Sequence, residues 1–177
     1  MALKDGVIRV LNESATKSIS FTAFGRCVTP RDYSDILYRV SHDEILPVFN
    51  PALPASQSHP GLMIFPYNHV STIFQAANVV HECTHESDCF RGSGYVIDSD
   101  HEIVAYLAEH LYLWNRLGPH PPLNWIGPDA AFRRSLDAAA MLLWSRLQVP
   151  RTQLVELSHM VRDLPTYRSL TGAPASR

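Results

Sequence analysis

The chain has 177 residues, 46% of them hydrophobic and 18% charged, with a formal net charge of −2, enough for one compact domain with a buried core. Lysine occurs only as Lys4 and Lys17 and no Lys/Arg-rich run is present, which argues against a nucleic-acid footprint, and no apolar run approaches the length of a membrane span. Three cysteines, Cys27, Cys83 and Cys89, cannot all pair within the chain, an odd count that suits a reducing compartment. Residues Met1 to Asn12 lack the positive-then-apolar layout of a Sec signal peptide, so the expected location is the cytoplasm, or export by a route without one.

In chain order, the apolar run Val7-Ile8-Arg9-Val10-Leu11 comes first, and Ser18 to Phe24 then alternates polar and apolar residues as a half-buried strand does. Thr29-Pro30 offers a capping residue followed by proline at the first helical position, and Ile36, Leu37 and Val40 supply the stripe of a short helix near 30 to 40. Leu46 to Pro60, with four prolines, predicts an extended loop. Gly61 to Phe65 is a short apolar run stopped by Pro66 and predicts a strand. Helices follow over about 71–88, 99–117, 130–148 and 154–164, with a break at Arg91-Gly92-Ser93-Gly94 and a second proline-rich loop over 118–128. The expectation is a single domain over 1–177 of α+β class, a small N-terminal sheet followed by helices, with C-terminal helices over about 129–164.

The helix over 71–88 carries His81-Glu82-Cys83-Thr84-His85. Residues four apart project from one helix face, so two imidazole nitrogens can converge on one metal ion. Glu82, turned away by about a quarter-circle, suits a carboxylate that does not bind the metal but takes a proton from the attacking water. Ile73, Phe74, Ala77, Val80 and Thr84 make this helix apolar or small over much of its surface, so the motif would be buried. Two buried histidines and a carboxylate are costly without partners, and a metal would satisfy all three. The bland alternative is a polar helix face with no ligand.

His81-Glu82-Cys83-Thr84-His85, followed after a glycine-containing turn by Asp100-His101-Glu102-Ile103-Val104-Ala105-Tyr106, resembles the zincin metallopeptidases, specifically the branch whose third ligand is a glutamate on the next helix. The resemblance covers about Gly61 to Leu117 and is similar to that of small bacterial members built from little more than these two helices and a short sheet. It implies a zincin-like pair of active-site helices, a Zn²⁺ cofactor held by His81, His85 and Glu102, and Glu82 as general base. Ala105 matches the small residue that lets the second helix pack closely on the first. The implied activity is peptide-bond hydrolysis, with a peptide or protein as substrate and a cognate protein as a possible partner.

Alternatives stay open at this stage. Ser99-x-x-Glu102 is also a capping box, Glu109 lies two turns further along the same face as a reserve ligand, and Asp98, Asp100 and His101 are the substitutes if the third ligand is an aspartate or histidine. Tyr106 stands where some members place an aspartate that orients a ligand histidine. Arg91 and Asp88 exclude the branch with a third histidine ligand. Donors to the developing oxyanion are expected among Tyr95, Tyr106, His110 and His120, and Gly61 to Phe65 could align an extended peptide as an added strand. The competing functions are an inactive zincin-like fold serving as a protein-interaction module, and a metal-free helical partner-binding domain.

Overall fold

The structure is a computed structural model that describes residues 2–90, 98–118 and 130–164. It is of α+β class, with two small sheets in the first 65 residues and helices after them. The opening apolar run is helical: α1, Leu3–Asn12, buries Leu3, Val7, Val10 and Leu11, spaced i, i+4, i+7 and i+8 as one helix face requires. A short α2, Ser14–Lys17, leads to a hairpin of β1, Phe21–Ala23, and β2, Arg26–Val28. Its two turn residues Phe24 and Gly25 both have positive φ, 52° and 75°, the backbone that matches the twist of a tight hairpin. The expected alternation is visible in β1, where Phe21 and Ala23 are buried and Thr22 is exposed.

The next helix, α3, Pro30–Ser41, starts with Pro30 at its first position, while Asp32 Oδ2 accepts from the Thr29 backbone N–H at 2.7 Å and from Thr29 Oγ1 at 2.9 Å. The segment expected to be a loop over 46–60 contains two strands, β3, Leu46–Phe49, and β4, Gln57–His59. Its prolines mislead because both strands lie at sheet edges, where a missing N–H is tolerated. β5, Leu62–Phe65, lies between them, parallel to β3 and antiparallel to β4. Because β5 is paired on both sides, it cannot receive a further strand, and among the described residues the outer strands of this sheet are β3 and β4.

α4, Ile73–Phe90, begins at a capping box: Thr72 Oγ1 accepts from Gln75 N at 3.1 Å and Gln75 Oε1 accepts from Thr72 N at 3.1 Å. α5, Ser99–Leu117, is started by Asp98, whose carboxylate accepts from the backbone N–H of Asp100 and His101. Within the described residues these two helices form the most extensive pair of packed elements. α6, Ala130–Trp144, stops short of the expected Gln148, at a turn where Arg146 has φ 60°; α7, Arg151–Asp163, begins three residues before its expected start, directly after Pro150. Buried side chains from Leu3 to Leu164 form one contiguous core, and among the described residues no helix is long and apolar enough to cross a membrane.

Candidate metal centre

Both helices at the site are buried nearly all round, and that decides what their polar residues must do. On α4, Ala76, Ala77, Val79, Val80 and Cys83 enter the core, and Cys83 Sγ lies 3.7 Å from Met63 on β5, a packing role. The remaining motif residues are buried as well, with His81, Glu82 and His85 retaining 7%, 3% and 4% of their exposure.

Glu102 comes from the first turn of α5, yet it does not cap that helix. Asp98 and His101 occupy the capping positions, which leaves the Glu102 carboxylate to face α4. Its Oε2 lies 3.4 Å from His81 Nε2 and its Oε1 3.6 Å from His85 Nε2, while the two Nε2 atoms are 3.1 Å apart. With one oxygen taken from Glu102, the three donor atoms all lie within 4.8 Å of one another. Ala105, fully buried one turn on, adds no bulk between the helices.

These separations can be tested against coordination chemistry. Ligands at about 2.0–2.2 Å from a tetrahedral zinc sit roughly 3.3–3.6 Å from one another; the nitrogen–nitrogen separation of 3.1 Å and the approaches of 3.4 Å from Oε2 to His81 and 3.6 Å from Oε1 to His85 are near that spacing, one to each carboxylate oxygen. Two nitrogens and one carboxylate are a donor set that zinc accepts. Without a cation the same triangle needs a proton in its place. Burial works to lower the pKa of His81, but hydrogen bonds to Glu102 and Glu109 outweigh it and hold it well above the usual histidine range. Burial drives His85 down to about 4. For Glu102 the burial penalty is outweighed by His85 and His81, and its pKa is lowered.

Glu109 takes a different place from that of a reserve ligand. Its Oε2 accepts from His81 Nδ1 at 3.1 Å, which orients the ring and directs Nε2 at the other donors, the outer carboxylate that metal-bound histidines commonly have. Tyr106, where such a carboxylate is absent from the sequence pattern, instead lays its ring edge-on to His81, with centroids 4.7 Å apart, and rests on Phe132. The carboxylate on the His81 ring thus comes from Glu109, about one turn after Tyr106, a place present in the spacing of Glu102 and Glu109 but legible only once Tyr106 is seen packed against the ring.

Glu82 points to a dry environment. Burial raises its pKa to about 8; His81 opposes this, and Glu102, Glu109 and Glu86 add to it. Glu86, missed by motif reasoning, is fully buried one turn beyond and is held by Ser58 Oγ at 2.8 Å and the Gly61 N–H at 3.2 Å. Gly61, with φ 78°, makes the β4–β5 turn that offers this N–H. Glu86 therefore docks the sheet on α4, with Ser58 Oγ also 3.4 Å from the Glu82 carbonyl oxygen.

The other candidates separate. Asp98 is the α5 cap, Asp100 accepts from Ser158 Oγ of α7 at 2.7 Å, and His101 Nδ1 meets Asp98 at 2.7 Å and Arg26 at 3.3 Å, so all three are engaged away from the donor triangle. Arg26 also pairs with Asp88 at 3.0 Å, tying the first hairpin to the end of α4. His110 is fully buried, with Nδ1 donating to the Tyr106 carbonyl oxygen at 3.2 Å, a structural engagement. Tyr95 and His120 lie outside the described residues. An open depression between α6 and α7, lined by residues such as Arg134, Gln153 and Glu156, contains none of these donors.

No protein-family model matches the chain, and comparisons with curated proteins and with solved structures likewise returned no match.

Proposed function

We propose that the protein is a zinc-dependent hydrolase that cleaves a peptide or related amide bond. The observation that carries this is the convergence of the buried His81 and His85 with the partly buried Glu102, their donor atoms within 4.8 Å of one another, with the Glu82 carboxylate on the same turn of α4. The resemblance of the two helices to the glutamate-ligand zincins supports the same conclusion. His81, His85 and Glu102 would hold the ion, which supplies Lewis acidity towards a water and a carbonyl. Glu109 fixes the orientation and tautomer of His81. Glu82 takes the proton of the attacking water and returns it to the leaving amine. Burial and the neighbouring carboxylates raise its proton affinity, and a cation held by the three donors would favour the ionised form that can accept the proton. Tyr106, against His81, is the described candidate for an oxyanion donor.

The depth of the donors favours one second reading. Structural metal sites are closed, so a burial of this degree also fits a catalytically inactive zincin-like fold whose metal holds an interaction module together. Metal content of the purified protein, measured by elemental mass spectrometry beside His81→Ala, tests the site: about one zinc per chain is expected, and lost in the variant. Glu82→Gln separates the two functions. A hydrolase keeps its zinc and loses about 10²–10⁴-fold in turnover of a peptide library, whereas an interaction module shows no hydrolysis in either form.

A further inference from the structure

Ser99 opens α5 one turn before Glu102, and its hydroxyl is turned to α7. Ser99 and Ser158 are both buried, and their Oγ atoms lie 2.7 Å apart. Ser158 Oγ donates to Asp100 Oδ1 at 2.7 Å, and Arg162 Nε donates to Ser99 Oγ at 2.9 Å. Ser158 gives its single hydrogen to the Asp100 carboxylate, so the hydrogen between the two hydroxyls comes from Ser99. The bonds therefore run one way, from Arg162 through Ser99 and Ser158 to Asp100, with each hydrogen used once.

This relay grips one side of the first turn of α5. At about 100° per residue, Glu102 lies roughly 110° round the helix from the middle of Ser99 and Asp100. With those two held on α7, the Glu102 carboxylate faces α4, 3.4 Å from His81 Nε2 and 3.6 Å from His85 Nε2. The Asp98 cap belongs to the same stretch of chain and turns with it, so it cannot set that rotation. A side chain reaches about 5–6 Å from the helix axis, so a turn of about 10° sweeps Glu102 by roughly 1 Å. Ligand distances are held within about 0.2 Å, so the rotation of α5 decides whether Glu102 can serve.

We propose that Ser158, at the centre of this relay, is a positioning residue that holds α5 at the rotation bringing Glu102 to His81 and His85. It touches neither metal nor substrate and acts through Glu102. The inference rests on the zinc centre of the reading above. Buried hydroxyls suit the role because hydrogen bonds are directional, whereas apolar surfaces can slide past one another. A broken relay also leaves buried polar groups unpaired, which drives the first turn of α5 to seek another placement.

The test measures zinc affinity of the folded full chain by chelator competition, beside its stability in urea with chelator present. Ser158→Ala should weaken zinc binding about tenfold, and the visible absorption of the cobalt-loaded protein, which reports donor geometry, should shift. Leu157→Ala is the control. Leu157 is fully buried on the same helix and takes no part in the relay, so this variant should lose at least as much stability and keep the wild-type zinc affinity and cobalt spectrum. Should S158A not fold, Arg162→Met, which opens the relay at its outer end, is measured against the same control, with a smaller loss expected. Wild-type affinity in the folded relay variant, or an equal loss of affinity in L157A, would overturn the proposal and leave the zinc centre standing. A wild type that binds no zinc overturns both.

Discussion

Glu109 makes the sharpest residue-scale case, because its carboxylate touches only a ligand ring and no substrate. Replacing it with Gln keeps a hydrogen-bond acceptor but weakens the hold on His81 Nδ1. The expected result is a 10–100-fold loss of zinc affinity in a chelator competition, with secondary structure unchanged; equal affinity would show that His81 is oriented by packing against Tyr106 alone. His110 gives a second residue-scale prediction. Burial lowers its pKa to about 3 from an ordinary 6.5, so between those values the unfolded chain binds the extra proton. Stability from the neutral His110 is therefore fully present above about pH 6.5 and is lost as pH falls towards 3, by up to about 1.4 kcal/mol per pH unit. Urea midpoints in the presence of chelator should fall less steeply with acid in His110→Leu than in the wild type, and parallel curves would rule this source out.

Between elements, the centre depends on how closely α5 approaches α4. Ala105 is fully buried one turn beyond Glu102, so Ala105→Leu must push the helices apart or distort them. We expect a loss of about 1–3 kcal/mol from overpacking, and a larger loss of zinc than of stability, because the donor triangle is spread across the two helices. Retention of full zinc affinity in a destabilised A105L variant would mean that Glu102 is not a ligand. The same level explains why the proline-rich 46–60 segment holds two strands. Its strands are short and hold their places by pairing with β5, and β4 is further held by Ser58 on Glu86 of α4. None of that is local, and a proline count sees only the local chain.

For the molecule as a whole, metal and fold should be linked. Zinc at about a hundred times its dissociation constant would add roughly 2.7 kcal/mol, a rise of about 5–11 °C in melting temperature for a chain of this size. Wild type and Glu82→Gln should both show it in thermal scans with and without chelator, and His81→Ala should not. If chelation unfolds the wild type outright, the structural-metal reading gains over the hydrolase.

The sequence by itself determined most of the helices and the placing of His81, Glu82 and His85 on one of them. Periodic stripes mark α3, α4, α5, α6 and α7 because a buried helix face repeats every 3.6 residues, and His81-Glu82-x-x-His85 lies on a single helix, where spacing alone sets direction. The tertiary structure decided everything that joins two elements. It placed Glu102 on the histidines rather than on its own helix start, set Glu109 against His81 Nδ1, and made β5 a central strand and not an edge. Its opening helix, α1, became evident only when Val7 and Val10 were seen in the core, since a five-residue apolar run fits a strand or a helix equally. The division follows from range: periodicity and capping act within a few residues, whereas the meeting of Glu102 and Glu109 with His81 is fixed by packing between segments that no local pattern connects.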